Sequence, residues 1–498
     1  MALRILVVAR WYPSHDVAGR GIFVADQVAA LVAAGAQVAV LCPDPVYVEG
    51  LEGPDRGARL AAVSRWAAEI GSRLAFAAPA GRGAPGVPVL RIPGLLPAGG
   101  QASRDPLELA ALEAIVLVPI GRALHAAWPF DVIHAHTGMP DGLAAAQLAD
   151  SVGVRLLTTE HDSSTPGRLS DPTVAEAYRG LLRPGRGLVT VSRALASRIE
   201  ERAGLEPGRI SVVPNVVTLE SFAVADGGAR QPGELLWVGA RKESKGTGTL
   251  LAAFAMVHAA RPATRLRMIG RAATDTEDQR LRAIATGLGI ASSVTFEPAT
   301  DRAGVAAAMA RAALFVHPSP WETFGIVAAE ALAMGLPVVA TPSGGVEEIL
   351  GSDGRLGVIA ASHDPRDLAS AILATLDSLA DFDPAVLRAA VVERFAPAIV
   401  ARKLLAVMEA LGATEPPGLE PPGLEPLLMH RRGWSSQPVV VVGFRRSSAL
   451  ARIAAAPTSL VDRLTLVTTA AIKPSTGQPT GEAKAPIGVS GWGEADIG

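Results

Sequence analysis

The sequence predicts an α/β protein with two doubly wound domains, each a parallel sheet with helices on both faces. Short apolar runs, typical of buried parallel strands, alternate with segments of helical periodicity. The alternation stops at a Gly-rich, polar stretch that ends at Gly233, and then it starts again. The chain has 498 residues, and at roughly 150 residues per domain this length predicts two or three domains.

The first domain is expected over residues 1–215. Its first helical pattern, Ile22 to Ala34, can end at Gly35 as a C-terminal cap. The predicted strands are Arg4–Ala9, Val38–Cys42, Asp131–His136, Val154–Thr159 and Leu188–Val191.

The second domain is expected over residues 216–396. Its predicted strands are Glu234–Gly239, Arg265–Ile269, Val294–Glu297, Leu314–His317 and Pro337–Thr341. A helical pattern follows over Leu387–Leu411, and after Gly412 the motif Pro-Pro-Gly-Leu-Glu occurs twice in tandem. Residues 412–498 are therefore predicted to be a Pro/Gly-rich linker and a disordered, low-complexity tail, with one strand-like run at Pro438–Phe444.

The composition excludes several classes of protein. With 46 Lys+Arg against 48 Asp+Glu the formal net charge is −2, so the chain lacks the positive field of a general nucleic-acid-binding protein. Hydrophobic residues make up 49% and charged residues 19%, which excludes a disordered chain or a coiled coil for most of the length. Cys42 is the only cysteine, so the chain can form neither an intrachain disulfide nor a Cys-based metal site.

The expected location is the cytoplasm, with peripheral contact at the inner face of the membrane as an open alternative. The first apolar run, Ile5 to Ala9, is too short for the core of a signal peptide. The apolar stretch Thr323 to Val346 is interrupted by Gly and Pro residues, which indicates a buried helix and a buried strand. Residues 60–80 have an amphipathic pattern that could touch an anionic membrane surface, although packing on their own domain is the favoured interpretation.

The most specific motif is Glu322-Thr-Phe-Gly-Ile-Val-Ala-Ala-Glu330, with two carboxylates eight residues apart around a glycine. A helix that starts near Phe324 would turn free N–H groups toward the preceding strand end and attract a phosphate. Gly325 has no side chain to block that approach. The motif suits a diphosphate flanked by hydroxyl-bearing groups, as in a nucleotide sugar. The alternative is a capping acid at Glu322 and an exposed helix residue at Glu330, where an unpaired carboxylate in an apolar helix would be costly.

With its flanks, this motif resembles the family 4 glycosyltransferases, retaining nucleotide-sugar transferases of the GT-B fold, in which two Rossmann-like domains face a cleft. The resemblance covers about residues 3–411. It implies that Glu322 contacts the donor sugar and that Glu330 holds the ribose. The backbone after the first acid, at Phe324, Gly325 and Ile326, would hold the diphosphate.

A second motif of that family, Gly-Arg-x4-Lys-Gly, is similar to the segment from Gly239 to Gly246. The resemblance matches Gly239 and Lys245, and a cation at Lys245 would neutralise the departing diphosphate without a metal ion or another cofactor. Ala240 occupies the position of the family's arginine. Arg241 and Lys242 are the candidate substitutes for it, and a merely solvated loop lysine at Lys245 is the alternative.

In the N-terminal half, the loop through Gly19 and Gly21 is similar to the family's glycine loop, where Gly21 would let the backbone approach the diphosphate. His161 falls where the family has an active-site histidine near the transferred sugar. The resemblance also implies a helix at residues 397–411 that returns to the N-terminal domain. The resemblance therefore implies that a sugar is transferred from a nucleotide-sugar donor with retention of its anomeric configuration. The acceptor would be a sugar, a glycan, a lipid-linked sugar or a small metabolite.

Two other functions stay open. Gly19 and Gly21, with Asp44 after the second strand, also suggest an NAD-dependent oxidoreductase, although the third glycine of that fingerprint is missing. A non-catalytic scaffold that binds nucleotide or glycan would follow if Ala240 disables the cation motif.

Metal sites are the less favoured interpretation of two residue groups. His134, His136 and His161 could form a metal trio, but no acidic or Cys ligand pattern accompanies them. Asp381 and Asp383 have the spacing of a metal-nucleotide acid pair, yet Asp383 before Pro384 is better explained as a helix N-cap.

Overall fold

Two parallel sheets form the centre of the protein, one in each half of the chain. The computed structural model describes residues 2–13, 21–48, 84–97, 105–222 and 230–411. Three segments of the sequence predictions lie outside these ranges: residues 60–80, the glycine loop at Gly19, and the tail 412–498 with its run Pro438–Phe444.

The N-terminal sheet has seven parallel strands in the order β3-β2-β1-β4-β5-β6-β7. They are β1 (Arg4–Val8), β2 (Gln37–Val48), β3 (Val89–Pro97), β4 (Val132–His136), β5 (Arg155–Glu160), β6 (Arg186–Thr190) and β7 (Ser211–Val212). The helices around it are α1 (Ile22–Ala33), α2 (Pro106–Ala127), α3 (Leu143–Val152), α4 (Thr165–Arg168), α5 (Pro172–Arg179) and α6 (Arg193–Ala203).

The C-terminal sheet has six parallel strands in the order β10-β9-β8-β11-β12-β13. They are β8 (Glu234–Val238), β9 (Arg265–Ile269), β10 (Val294–Glu297), β11 (Leu314–His317), β12 (Val338–Ala340) and β13 (Gly357–Ile359). The helices that follow are α7 (Thr247–Ala260), α8 (Asp275–Gly287), α9 (Arg302–Arg311), α10 (Ile326–Ala333), α11 (Gly345–Leu350), α12 (Pro365–Asp377), α13 (Pro384–Phe395) and α14 (Pro397–Ala410).

Asp-Pro pairs start four of these helices. In each pair the aspartate is the N-cap, its side chain accepts a hydrogen bond from an early helix N–H, and the proline occupies the first turn, where no N–H is needed. The four caps are Asp105, Asp171, Asp364 and Asp383. The Asp383 cap agrees with the interpretation favoured for this residue above.

The predicted fold class is confirmed, with three strands missed and one helical pattern divided. No strand is predicted at β3, because its two prolines and one glycine are breakers in a sheet interior, although they are tolerated at a sheet edge. The two-residue strand β7 and the three-residue strand β13 are too short for a pattern. The helical pattern over Leu387–Leu411 is divided between two helices, because Pro397 starts a new helix and Ala396 before it is extended.

Helix α14 leaves the C-terminal half and packs on α1 of the N-terminal half. Val400, Leu404 and Met408 are buried in one apolar cluster with Val24 and Val28. In addition, Arg155 on β5 donates a hydrogen bond to the carbonyl of residue 408 at 2.9 Å. The last helix of the described chain therefore ties the two halves together.

Leu404→Ala should lower the free energy of unfolding by about 2–5 kcal/mol, because it leaves a cavity in a cluster that excludes water. Chemical denaturation measures the loss. The matched control is the exposed neighbour Lys403→Ala, which should change stability by less than about 0.5 kcal/mol. Equal effects of the two substitutions would contradict the docking of α14.

Within the described ranges, no helix combines the length and the apolar character needed to cross a membrane.

Candidate active site

The strand orders place a crevice at the carboxyl end of each sheet. The order reverses between β1 and β4 in the first sheet and between β8 and β11 in the second. In doubly wound sheets, ligands bind outside the carboxyl ends of the strands at such a reversal. Glycine loops, acids and histidines singled out from the sequence follow these strands.

Glu322, in the loop after β11, is buried and forms an ion pair with Lys245. The Lys245 Nζ lies 2.9 Å from Glu322 Oε1, and His317 Nε2 lies 3.2 Å from the same oxygen. Burial alone would raise the pKa of Glu322, but the Lys245 ammonium and His317 outweigh it and lower this pKa to about 2. Glu322 is therefore ionised at neutral pH.

Two backbone contacts fix Glu322 against the start of α11. Its N–H donates to the carbonyl of Ser343 at 2.8 Å, and its carbonyl accepts from the N–H of Gly345 at 3.1 Å. Gly345 also has no room for a side chain, because an added Cβ would lie 2.7 Å from Phe324 Cα. The loop from β11 to α10 is thus rigidly placed.

The start of α10 presents free amides. Gly325 is the N-cap with φ 88°, and no side chain caps the helix. The amides of Ala328 and Ala329 bond to the Gly325 carbonyl, whereas among the described residues no acceptor is present for the amides of Ile326 and Val327. The helix begins two residues after the predicted start at Phe324, whose ring packs edge-on against Phe395 at 5.2 Å.

Gly325→Ala should abolish measurable nucleotide binding. An added Cβ would lie 2.4 Å from Val346 Cγ2, and the left-handed φ of 88° disfavours any L side chain. Both effects move the amides at the start of α10. Isothermal titration with a nucleoside diphosphate measures the loss. Gly351→Ala, also at positive φ but with nothing near an added Cβ, is the control and should bind normally.

Glu330 lies about one turn into α10 and is buried, which removes the alternative of an exposed helix residue. Burial is the main cause that raises its pKa, the nearby Arg302 guanidinium acts against it, and Asp26 adds to it, so that the pKa of Glu330 is raised to about 8. Arg302 Nη1 donates to Asp26 Oδ1 at 2.9 Å. Since Asp26 is on α1 and Arg302 on α9, this ion pair bridges the two halves of the protein beside Glu330.

Gly246 brings Lys245 to Glu322. Gly246 has φ 67°, and a Cβ added there would lie 2.0 Å from the carbonyl oxygen of Pro318. Only a glycine lets the loop after β8 pack so closely on the loop after β11. Lys245 ends a short 3₁₀ turn (Glu243–Lys245) directly before that contact.

Arg241 does not lie beside Lys245 and Glu322. Its guanidinium is buried and donates to the carbonyls of Gly270 and Glu297 and, at 2.8 Å, to Asp278 Oδ1. These bonds tie the ends of β8, β9 and β10 together, so Arg241 has a structural role and does not serve as the second cation near Lys245. The side chain turns away because Arg241 pairs with Ala272 as a strand-like bridge.

Gly239 has a packing role at the end of β8. Its carbonyl oxygen would lie 1.7 Å from a Cβ added to Gly270, and its N–H donates to Ile269 at 3.0 Å. The close approach of these two loops leaves no room for a side chain at Gly270.

Gly21 is the N-cap of α1 and comes close to the end of β1. Its φ is 64°, and an added Cβ would lie 2.0 Å from the carbonyl oxygen of Trp11. The next residue but one, Phe23, packs its ring 4.6 Å from the ring of His161. The start of α1 and the end of β5 therefore meet at the cleft.

His161, His134 and His136 lie together at the ends of β4 and β5. All three are buried, and burial lowers the pKa of His134 and of His161 to about 3. Among the described residues, no group of three or more His, Cys, Asp or Glu side chains has the arrangement of a metal site. The histidines instead bond to each other and to Thr159.

The two halves also meet beside Glu322. Glu348 on α11 accepts hydrogen bonds from the first amides of α6, at Arg193 (2.9 Å) and Ala194 (2.6 Å). The guanidinium of Arg198 lies 3.4 Å from the ring centre of Trp321, the residue before Glu322. Sequence reasoning missed His317, Arg302 and Asp26; only His317, at a predicted strand end, had a signal that could have marked it.

Two family models match the chain. The one described as "Glycosyl transferase 4-like domain" matches residues 18–216, and the one described as "Glycosyl transferases group 1" matches residues 232–378. The matched ranges contain the two sheets, apart from β1 in the first.

Curated relatives agree with the family models. D-inositol 3-phosphate glycosyltransferase 2 of Catenulispora acidiphila is 31% identical over 356 residues, which is 64% of this chain and 82% of the relative. Glycogen synthase of Mycobacterium tuberculosis is 30% identical over 391 residues, 75% of this chain and 86% of the relative. The D-inositol 3-phosphate glycosyltransferase of Segniliparus rotundus is 33% identical over 279 residues, 52% of this chain, and the match spans only 61% of that relative's length.

Solved structures share the fold. Sucrose-phosphate synthase from Thermosynechococcus elongatus has a TM-score of 0.63 at 19% identity, covering 82% of this chain and 99% of that one. HepE of Anabaena in complex with UDP has a TM-score of 0.59 at 18% identity, covering 82% and 100%. These comparisons exclude the alternative of an NAD-dependent oxidoreductase. The chain belongs to the family 4 glycosyltransferases and is a glycosyltransferase enzyme with the GT-B fold.

Proposed function

We propose that this enzyme transfers a sugar from a nucleotide-diphosphate sugar to a hydroxyl group of a carbohydrate or polyol acceptor, with retention of the anomeric configuration. The observation on which the proposal rests is the group formed by Glu322, Lys245 and His317, directly before the uncapped start of α10. It combines an ionised acceptor of sugar hydroxyls, a cation and free amides in one place.

The donor is proposed to lie along the start of α10. Its diphosphate meets the amides of Ile326 and Val327, where the helix dipole favours negative charge. Glu330 is four residues beyond Ile326, about 6 Å along the helix at 1.5 Å per residue. That spacing suits a ribose bound through its hydroxyls next to the diphosphate.

The chemistry follows from where negative charge grows. As the bond between the sugar and the diphosphate breaks, charge develops on the diphosphate, and Lys245 with the α10 amides stabilises it without a metal ion. The low pKa of Glu322 makes it a weak base, and its Oε1 is already bound to Lys245. We therefore assign Glu322 to the sugar hydroxyls, with the diphosphate itself taking the proton of an acceptor that attacks from the same face.

The acceptor is proposed to enter from the N-terminal half, where His161 and the start of α1 line the cleft. The names of the relatives suggest two acceptor types, a phosphorylated polyol and a glucan. A cytoplasmic location stays a prediction. Membrane contact through residues 60–80 also stays a prediction, because that segment lies outside the described residues.

A donor screen tests the proposal. Purified full-length enzyme is incubated with UDP-, GDP- and ADP-sugars, with and without D-inositol 3-phosphate or glycogen, and released nucleotide is measured in buffer containing EDTA. One donor should be consumed slowly alone and faster with its acceptor, and the anomeric proton of the product should show retention by NMR. Asp353→Asn, an exposed surface substitution, should match the wild type.

Two results would reject the proposal. Nucleotide binding without consumption of any donor would favour a non-catalytic scaffold, the function suggested by Ala240. An inverted product would exclude the same-face route.

A further inference from the structure

A second histidine, His136, supports the position of His161. His136 Nδ1 lies 3.0 Å from His161 Nε2, and the two rings are nearly parallel, 13° apart, with centroids 5.3 Å from each other. His136 is the last residue of β4, and His161 follows the last residue of β5. The contact therefore links the carboxyl ends of two neighbouring strands.

Both imidazoles are neutral, so each has one N–H. Burial lowers the pKa of His161 to about 3, and burial with the neighbouring histidines lowers the pKa of His136 well below its ordinary value. The contact between them holds one proton. The outer nitrogens, His161 Nδ1 and His136 Nε2, are buried and have no hydrogen-bond partner among the described residues.

The backbone of His161 is held independently of its ring. Glu160 Oε1 accepts its N–H at 2.9 Å, and Glu160 Oε2 accepts the Tyr178 hydroxyl at 2.7 Å and the Gly138 N–H at 3.0 Å. The Phe23 ring lies 4.6 Å from the His161 ring and is tilted by 51° relative to it. The hydrogen bond with His136 therefore determines which ring nitrogen of His161 carries the proton.

Two arrangements satisfy the contact. Each leaves one outer N–H without a partner among the described residues; if His161 donated, this N–H would be His136 Nε2–H, on a ring that lies between those of His134 and His161. If His136 donates, the free N–H is on His161 Nδ1. His161 follows a strand end at the crevice, where a bound ligand supplies the missing acceptor.

We propose that His136 is a positioning residue: its Nδ1–H donates to His161 Nε2, holds His161 as the Nδ1–H tautomer and so presents an N–H donor to an oxygen of the bound sugar donor. The identity of that ligand rests on the proposed function. The tautomer can be measured in the free protein, which lets the two be tested separately.

Histidine ¹⁵N NMR of the full-length wild-type protein tests the tautomer. His136 and His161 should both be protonated on Nδ1, with signals assigned from the spectra of His136→Asn and His161→Asn. An Nε2–H tautomer at His161 would overturn the proposal. This measurement needs neither a donor nor activity.

A double-mutant cycle tests the role in transfer. His136→Leu should lower kcat by roughly 10-fold, the effect of losing one buried hydrogen bond, and should add less than about 2-fold when His161 is already alanine. His136→Asn places an amide nitrogen where Nδ1 stood and should recover most of the loss.

His134→Leu is the matched control. His134 lies on the same strand, but its Nε2 bonds to Thr159 Oγ1 at 2.8 Å and not to His161. Its effect should multiply with that of His161→Ala. If His136→Leu also multiplies, His136 is only structural and the proposal fails. If no nucleotide sugar is consumed by any variant or by the wild type, the proposed function fails while the NMR result stands.

Discussion

Lys245→Met should lower kcat/KM for sugar transfer by about 100- to 1000-fold, the range for removing one preorganised donor to a developing oxyanion. Lys245 Nζ bonds to Glu322 at 2.9 Å and lies in the loop that Gly246 holds against Pro318. We expect Lys245 to share its charge between Glu322 and the leaving diphosphate. Steady-state kinetics with the donor found in the screen measure the loss.

The same substitution should also destabilise the fold, because it leaves the Glu322 carboxylate buried beside His317 alone. Breaking a buried ion pair costs about 3–5 kcal/mol, and because Lys245 keeps a partly exposed side chain we expect a loss at or below the low end of that range. The pKa of Glu322 is lowered to about 2 from 4.5. Its ionised form therefore stabilises the wild type above pH 4.5, and this contribution is lost as the pH falls toward 2.

A double variant separates the two effects. Lys245→Met with Glu322→Gln removes both charges, so stability should return toward the wild type while transfer stays lost. Chemical denaturation and kinetics on the same samples measure both. Wild-type kcat/KM in Lys245→Met would show that Lys245 is a solvated loop lysine, the alternative left open by the sequence.

The parallel strands and the acid motif could be predicted because their signals are local. Buried strands such as Leu314–His317 are continuous apolar runs, and the eight-residue spacing of Glu322 and Glu330 fixes both acids relative to one helix. The edge strand β3 could not be predicted in this way, because Pro93 and Gly94 are tolerated only in a strand with a single neighbour.

Other parts of the site depend on contacts between distant segments. Arg302 and Asp26 are 276 positions apart in the chain, and no periodicity relates them. The direction of the Arg241 side chain could not be predicted from the sequence either, because a shift of one residue at a strand end moves a side chain to the other face of the sheet. The position of Lys245 beside Glu322 depends on the packing of Gly246 against Pro318, a contact between two loops that are far apart in the sequence.

Glu330→Gln should make the protein more stable than the wild type at alkaline pH and should weaken donor binding. Burial raises the pKa of Glu330 from 4.5 to about 8, so the folded protein binds this proton more tightly than the unfolded chain. The sign follows: wild-type stability falls as the pH rises from 4.5 to 8, by up to about 4 kcal/mol at 1.36 kcal/mol per unit of pKa. Glutamine removes that dependence, which denaturation at pH 6 and pH 9 can measure.

Donor binding should show the opposite trend in the wild type. Ribose hydroxyls donate best to an ionised carboxylate, so affinity should rise from pH 6 toward pH 8 and should be lower and nearly flat in Glu330→Gln. A nucleotide sugar is the right ligand for the titration, because its phosphates do not change ionisation in this range.

The ion pair across the cleft provides two variants with effects of opposite sign. Arg302→Met removes the cation that opposes the raised pKa of Glu330, so the binding curve should move to higher pH. Asp26→Asn removes a charge that raises this pKa and releases Arg302 from its partner, so the curve should move to lower pH. If both variants follow the wild-type curve, Glu330 is not the titrating group, and its carboxylate does not face the nucleotide.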